Sequence, residues 1–456
     1  MGRGGGQGRH RRGGAVPRPV GSDRSVGPDR GPGLHHRRRA HRRRLRPRLV
    51  RPLPPDPVRL RGLPAPRRLR SHHRAQGDRA PTRRGRPVTR GPDPLADGPG
   101  TDPLRSRARR PLASHQTPGL VCAHHHLYST LARGMPAPPR TPRGFREILE
   151  LVWWRLDRAL TLDILAASAR LGALEALERG CTALIDHHES PESIEGSLTV
   201  IAEACAEVGI RVSCAYGVTD RHGPDGARRG LAENDRFLAE GGRGMVGVHA
   251  AFTCRDETLE AAADLARRHG VGVHVHVAEG PDDADAASRL APLARPDWLL
   301  VHGVHLADDH GLAGTIVHNP RSNMNNGVGY ARPIRFANPV ALGTDGIGAD
   351  MLEEFRLAYV RQREDEVTAT PLDAWSWLAT GYDLFPEALD DRVSWSHDPA
   401  EAWHLAFTPG VRPLTVEVSG ELVYADGAPT RVDAAEIRAH AAEAARRLHR
   451  RLEEMP

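Results

Sequence analysis

The sequence predicts an α/β protein whose main body is a (β/α)8, TIM-type barrel, followed by a small, incomplete β-domain built mainly from the C-terminal part. Three observations carry that expectation. From Gly119 onward, short apolar runs alternate with longer stretches of helical periodicity. There are eight such runs over about 230 residues, the strand number and span of this barrel. Residues able to do chemistry stand where the runs stop, as expected of a fold whose active sites form at the C-terminal ends of its strands.

The expected strands are Leu120–Ala123, Ala183–Asp186, Arg211–Ala215, Met245–Ala250, Val271–Val277, Trp298–Val301, Ile316–His318 and Val340–Gly343. Helix-like segments lie between them, among them Leu162–Glu178, Ile194–Val208 and Thr258–His269. His124, His125 and His126 follow the first run, and Asp186, His187 and His188 end the second. His249 ends the fourth; His274, His276 and Glu279 the fifth; His302 the sixth; His318 and Asn319 the seventh; Asp345 the eighth. One histidine at a strand end is an ordinary core residue. Seven of eight ends carrying His or Asp form a pattern.

Residues 1–117 read differently. Up to residue 115 there are 31 Arg against 7 Asp and no Glu, while the remainder holds 33 Arg against 50 acidic residues. The net charge of +7 therefore describes neither part, and the acidic body gives no reason to expect nucleic acid or a membrane surface as partner. Text such as HHRRRAHRRR has too few apolar residues to offset chain entropy, so disorder is expected. A nucleic-acid-binding tail and a transit peptide are weighed against an out-of-frame translation of GC-rich DNA, which is preferred. Re-reading the upstream bases in the other frames tests that preference.

The chain has no Lys, and its five cysteines form no C-x-x-C pair, so neither a disulfide framework nor a cysteine zinc site is indicated. No apolar run reaches the roughly 18 residues of a membrane span, and no secretory segment opens the chain. A cytoplasmic location fits this usage. A homodimer is the default expectation for the assembly.

His124 and His126 are two apart on an extended segment, so both side chains leave one face and can converge on a cation. His274 and His276 repeat that geometry on the fifth strand, and alternation alone does not choose between them. Asp345 offers a carboxylate from the eighth. In a closed barrel these ends can meet over the axis around one divalent metal, Zn2+ as first choice or Fe2+.

These motifs resemble the amidohydrolase superfamily, specifically its ATZ/TRZ-type aminohydrolases and most closely those of SsnA type. The resemblance runs from Pro118 to the C-terminus. It is carried by PGLVCAHHHLYSTLARGM (Pro118–Met135), IDHHESP (Ile185–Pro191), GVHAAFT (Gly247–Thr253), HVHVAE (His274–Glu279), LVHGVHL (Leu300–Leu306), VHNPRSNMNNGVGY (Val317–Tyr330) and LGTDGIGADM (Leu342–Met351). It implies His124, His126, His276 and Asp345 as metal ligands, and Glu279, Asp345 and His302 as catalytic residues. Glu279 matches the proton shuttle of an H-x-x-E pattern, and His302 the histidine that hydrogen-bonds the reacting group. His249 matches a substrate-facing residue, and Asn319, Ser322 and Asn323 a loop framing the pocket. The implied reaction is hydrolytic deamination of an amino-substituted N-heterocycle by metal-activated water.

The alternatives are a hydrolase of the same fold acting on a cyclic amide or carbon–halogen bond, and a nucleic-acid-associated protein using the Arg-rich tail. His125 reads as a packing residue, Cys122 as core, and Arg446–Arg451 as a solvated face of a helix spanning Asp433–Glu454. His187 and His188 receive no metal role. The expected division is 1–117 basic segment, 118–385 barrel, and 386–456 β-hairpin with helix; Thr415–Val423 and the turn Ala425–Ala428 supply the hairpin. Against the family pattern, Ala307–Thr315 is short for a helix, Glu387–His404 lacks a return strand, and the N-terminal strands of the small domain are replaced by basic text.

Overall fold

Two parallel sheets carry the middle of the chain, and their strands are buried along their length except at Arg211 and Gly346, which are half-buried. The computed structural model describes residues 102–398 and 402–455. The strands, in chain order, are β1 (Gln116–Thr117), β2 (Leu120–His126), β3 (Cys181–His188), β4 (Arg211–Tyr216), β5 (Val246–Ala250), β6 (Val273–Val277), β7 (Leu299–His302), β8 (Thr315–His318), β9 (Val340–Leu342) and β10 (Asp345–Gly346). Parallel strands covered on both faces have no polar side to show, which is why they read as apolar runs rather than alternating text.

One sheet has the order β10-β2-β3-β4 and the other β5-β6-β7-β8-β9. Isolated parallel bridges, Cys214 to Gly244 and Val218 to Val248, link their flanks. Between β9 and β10, Gly343 N–H donates to the His318 carbonyl (3.0 Å) and Thr344 N–H to the His124 carbonyl (3.0 Å). Segment 340–346 is thus hydrogen-bonded to β8 on one side and β2 on the other. Gly343 is required there: a Cβ would lie 2.4 Å from Asn319 Oδ1 and 2.9 Å from His124 Cβ.

Each of the eight strands expected from the sequence is present, with ends shifted by a few residues and the last divided into β9 and β10. Helices Leu162–Leu177, Ser197–Val208 and Asp256–His269 fill the expected connections. The last two end on Gly209 and Gly270 in left-handed conformation, the usual way to close a helix. In Asp256–His269 acidic residues open the helix and basic ones end it, complementing its dipole. Among the described residues no helix joins β7 to β8, as the short Ala307–Thr315 segment implied.

The small domain is more complete than the sequence suggested. Strands β11 (Arg392–Trp395), β12 (Pro413–Val418), β13 (Glu421–Ala425) and β14 (Ala428–Pro429) form with β1 an antiparallel sheet ordered β1-β11-β12-β13-β14. Strand β11 is the return strand thought to be missing from Glu387–His404. Four residues give almost no periodic signal, and its partners come from both directions along the chain. The hairpin turns first at Ser419-Gly420 and only then at Asp426-Gly427.

Residues 102–117, read with the basic segment, pack onto the body. Leu104 is fully buried, Trp375 Nε1–H donates to Asp102 Oδ1 (2.7 Å), Arg109 pairs with Asp390 (2.8 Å), and Trp395 Nε1–H reaches Thr117 Oγ1 (2.9 Å). The readings made for residues 1–101 lie outside the described residues. Helix Ala434–Glu454 lays Ala444, Leu448 and Leu452 into the core, while Arg447 meets Asp163 and Arg451 caps the Ala159 carbonyl. All five cysteines are buried thiols. No helix of the described residues is long and apolar enough to cross a membrane.

Candidate metal centre and active site

Alternation along β2 sends His124 and His126 to one side and His125 to the other, where its Nδ1 stands 2.8 Å from Thr344 Oγ1. Alternation along β6 does the same for His274 and His276. Asp345 arrives on β10 with φ of +59°, a conformation that costs a non-glycine residue energy and is commonest where a side chain must be aimed. One ligand atom each from His124, His126, His276 and Asp345 lie within 4.8 Å of one another. Asp345 Oδ1 is 3.2 Å from His124 Nε2 and 2.9 Å from His126 Nε2, and the Nε2 atoms of His126 and His276 are 3.3 Å apart.

The back sides of these rings are fixed. His126 Nδ1–H donates to the His187 carbonyl and His276 Nδ1–H to the His249 carbonyl, both at 2.6 Å. These bonds select the tautomer whose Nε2 carries a lone pair. Two such lone pairs facing each other at 3.3 Å repel unless a proton or a cation sits between them. With a third imidazole and a carboxylate at the same point, the donor set fits a divalent cation. His274 stands behind His124, its Nε2 2.8 Å from His124 Nδ1, and so backs a member of the cluster. That contact separates it from His276, which the sequence pattern alone did not.

The charges agree. Burial alone would drive the His126 imidazolium down, but the hydrogen bond and charge of Asp345 outweigh it and hold His126 up at about 9. Burial takes His276 down to about 3. Burial opposes ionisation of Asp345, yet hydrogen bonds with His124 and His126 hold it well below the usual carboxylate range. Glu279 moves the other way: burial, then the neighbouring Asp345 charge, hold it well above the usual range. Two carboxyls of opposite protonation preference in one site are the raw material of acid–base work.

His302 also has a positive φ (+73°) and directs Nε2 to 3.4 Å from Glu279 Oε2. Its Nδ1 is held 2.8 Å from Asn323 Oδ1 and 3.5 Å from Asn319 Nδ2. Ser322 Oγ–H donates to Asp345 Oδ2. Asn319, Ser322 and Asn323, expected to frame the pocket, bear on His302 and Asp345. Asn326, just past helix Pro320–Asn325, lines the cavity and donates from Nδ2 to Ser322 Oγ (3.3 Å).

His249 lines the cavity, with Nδ1 2.8 Å from Thr253 Oγ1. The remaining wall was not found from sequence. It comes from Phe145–Ala159, where a turn of π-helix (Leu149–Trp153) between two short α-helical pieces turns Leu149, Trp153, Trp154 and Asp157 toward the cavity. Glu189 at the end of β3 completes it. The Trp-Trp pair followed by Asp157 at helical spacing was the available signal. Arg221 is stacked on Trp154 at 4.3 Å and pairs with both Asp157 (3.3 Å) and Glu189.

A model of the amidohydrolase family matches residues 116–379, more than half of the chain. The chain belongs to the amidohydrolase family. This amidohydrolase is 29% identical to the 8-oxoguanine deaminase of Pseudomonas aeruginosa, over 75% of this chain and 89% of that protein. It is also 29% identical to the 5'-deoxyadenosine deaminase of Methanopyrus kandleri, over 73% of this chain and 86% of the relative. Among solved structures, a zinc-bound adenosine deaminase of Xanthomonas campestris superposes with a TM-score of 0.62 at 20% identity, covering 73% of this chain and 85% of that one. Zinc-bound atrazine chlorohydrolase TrzN of Arthrobacter aurescens gives 0.60 at 21% identity, covering 72% and 88%. The last two likenesses establish a shared fold.

Proposed function

We propose that this amidohydrolase is a metal-dependent aminohydrolase that removes an amino group from a purine-like heterocycle by hydrolysis, a reaction at a carbon–nitrogen bond other than a peptide bond. The observation that carries the reading is the convergence of three imidazoles and Asp345 beside a carboxyl, Glu279, whose hold on its proton is strengthened by burial and the Asp345 charge. The deaminase relatives support it. We assign His124, His126, His276 and Asp345 as ligands and zinc as the cation, in keeping with the zinc in the two fold relatives. When bound, that cation acidifies water and so supplies a nucleophile near neutral pH.

The chain's own groups do the rest. Asp345, with Oδ2 already engaged by Ser322, accepts the proton that water gives up. Glu279 hands its proton to the ring nitrogen, then shuttles another to the departing ammonia. His302, steadied by Asn323, faces the developing oxygen charge. Trp154 and Phe252 form flat walls for a heterocycle. The pairing of segment 340–346 with both β8 and β2 supports closure of the two sheets into one (β/α)8 barrel, with the antiparallel sheet and last helix as the appended domain. Buried thiols suit a reducing compartment such as the cytoplasm.

Ammonia release by the zinc-loaded full chain, across aminopurine bases, their nucleosides, aminopyrimidines and triazines, tests the reaction. Deamination of a purine-like member, lost in Glu279→Gln, supports it. Chloride from a chlorotriazine or opening of a cyclic amide, with ammonia from none, would replace it with another hydrolase.

A further inference from the structure

Asp345 reaches the ligand cluster on a segment that side-chain-bearing residues seldom adopt. Asp345 (φ +59°) and Ile347 (φ +61°) both stand in the left-handed region without being glycine. Such a conformation persists only where neighbouring groups over-determine it. Hydrogen bonds hold this segment at both ends: Thr344 N–H donates to the His124 carbonyl (3.0 Å) and Ile347 N–H to Ser129 Oγ (3.1 Å). Arg321 holds its middle. One nitrogen of its guanidinium, Nη2, donates to the Thr344 carbonyl (2.9 Å) and to the Gly346 carbonyl (3.0 Å). Those carbonyls belong to the residues on either side of Asp345. Rotation about the Asp345 backbone swings one relative to the other, so a single donor bonded to both fixes that backbone.

Arg321 is itself anchored. Its Nε–H donates to Glu354 Oε1 (2.9 Å) and its backbone N–H to Glu354 Oε2 (3.1 Å). Glu354 stands on helix Met351–Asp365 with its side chain 1% exposed. Burial pushes that carboxyl up to about 8 against the pull of Arg321, so the anchor consists of directed hydrogen bonds more than of charge. The next two residues of helix Pro320–Asn325 bear on the same chemistry: Ser322 donates to the Asp345 carboxylate, and Asn323 holds His302. We infer that Arg321 is a positioning residue of the reaction, locking the Asp345 backbone in the left-handed conformation that aims its carboxylate at His124 and His126. It acts through Asp345. This inference rests on the assignment of Asp345 as metal ligand and proton acceptor, and adds the residue that aims it.

The test removes the guanidinium from the full-length chain. Arg321→Met should bind zinc about 10- to 100-fold more weakly, measured by competition with a chromophoric chelator, the usual cost of losing a group that orients a ligand. On a substrate that releases ammonia, kcat should fall by a similar factor while KM stays within about 3-fold. The visible spectrum of the cobalt-substituted protein, which reports ligand geometry, should change in the same variant. Added guanidinium should move zinc affinity and cobalt spectrum back toward native, because the Arg321 side chain is 29% exposed and its place can be reached from solvent. A merely structural role would lower the melting temperature and leave the cobalt spectrum of the folded protein native. Arg321→Lys keeps a donor for the two carbonyls but gives up the Nε–H bond to Glu354, so its zinc affinity should drop by only about 3- to 10-fold. That variant decides if Arg321→Met does not fold. Native zinc affinity with a native cobalt spectrum, or a defect that neither guanidinium nor Lys lessens, would overturn the inference. Absence of ammonia from the native protein would remove the deaminase reading and leave the two metal readouts to judge Arg321.

Discussion

At the scale of single residues, protonation divides the site into groups that hold a charge and groups that refuse one. Glu279 and Asp345 share a cavity and are driven apart in proton affinity. Removing the shuttle while leaving the cluster intact should therefore separate chemistry from metal binding. Glu279→Gln is expected to keep its zinc, by elemental analysis, and to lose activity by about 100- to 10,000-fold. Loss of metal together with activity would mean that Glu279 belongs to the ligand set.

A second residue prediction concerns Asp186, which carries no assigned role. Its Oδ1 accepts from Leu127 N–H (2.7 Å), its Oδ2 is buried without a partner, and burial pushes its pKa up to about 7. A carboxyl raised in the folded state holds its proton better than in the unfolded chain. Its favourable contribution is complete below about pH 4, the ordinary aspartate value, and is lost as pH rises through about 7. Relative to Asp186→Asn, the native chain should therefore become less stable between those limits and change little above them. Urea midpoints for both proteins at pH 5 and pH 8 decide it: an unchanged difference would show that Asp186 is not held neutral by its surroundings.

At the scale of elements, the strands were the legible part. Burial on both faces demands apolar text, and a histidine that interrupts such text at a strand end is visible without knowing its partners. The site's cover was not legible. Phe145–Ala159 departs from regular helical periodicity at its π-turn, and β11 is recognised only by pairing with strands far away in sequence. Asn319, Ser322 and Asn323 were legible as neighbours of the pocket, but their hydrogen bonds to His302 and Asp345 are set by the three-dimensional structure and not by spacing. Register between elements is what Gly343 protects. Gly343→Ala would press a methyl group into Asn319 and His124, displacing the end of the eighth strand segment and Asp345 with it. Zinc occupancy should fall in that variant while far-ultraviolet circular dichroism stays native. Full occupancy would contradict the close approach.

At the scale of the whole molecule, two sheets and an appended antiparallel sheet hold together side chains that lie 221 positions apart in the chain, as His124 and Asp345 do. Sequence could name those residues because each sits at the end of its own strand. It could not supply the distances that set His276 apart from His274, nor the arginine that pairs with Glu189. The cluster gathers three imidazoles and a carboxylate at one point, a donor set suited to a cation. Chelation should therefore lower the melting temperature by several degrees, with recovery on adding one equivalent of zinc, because a ligand bound only by the folded state stabilises it. The most direct test of the whole account is anomalous diffraction at the zinc edge from crystals of the zinc-loaded protein. One peak lying between Nε2 of His124, His126 and His276 and the Asp345 carboxylate is the expected result. A protein that takes up zinc and shows no peak there, or binds it through other side chains, would contradict it.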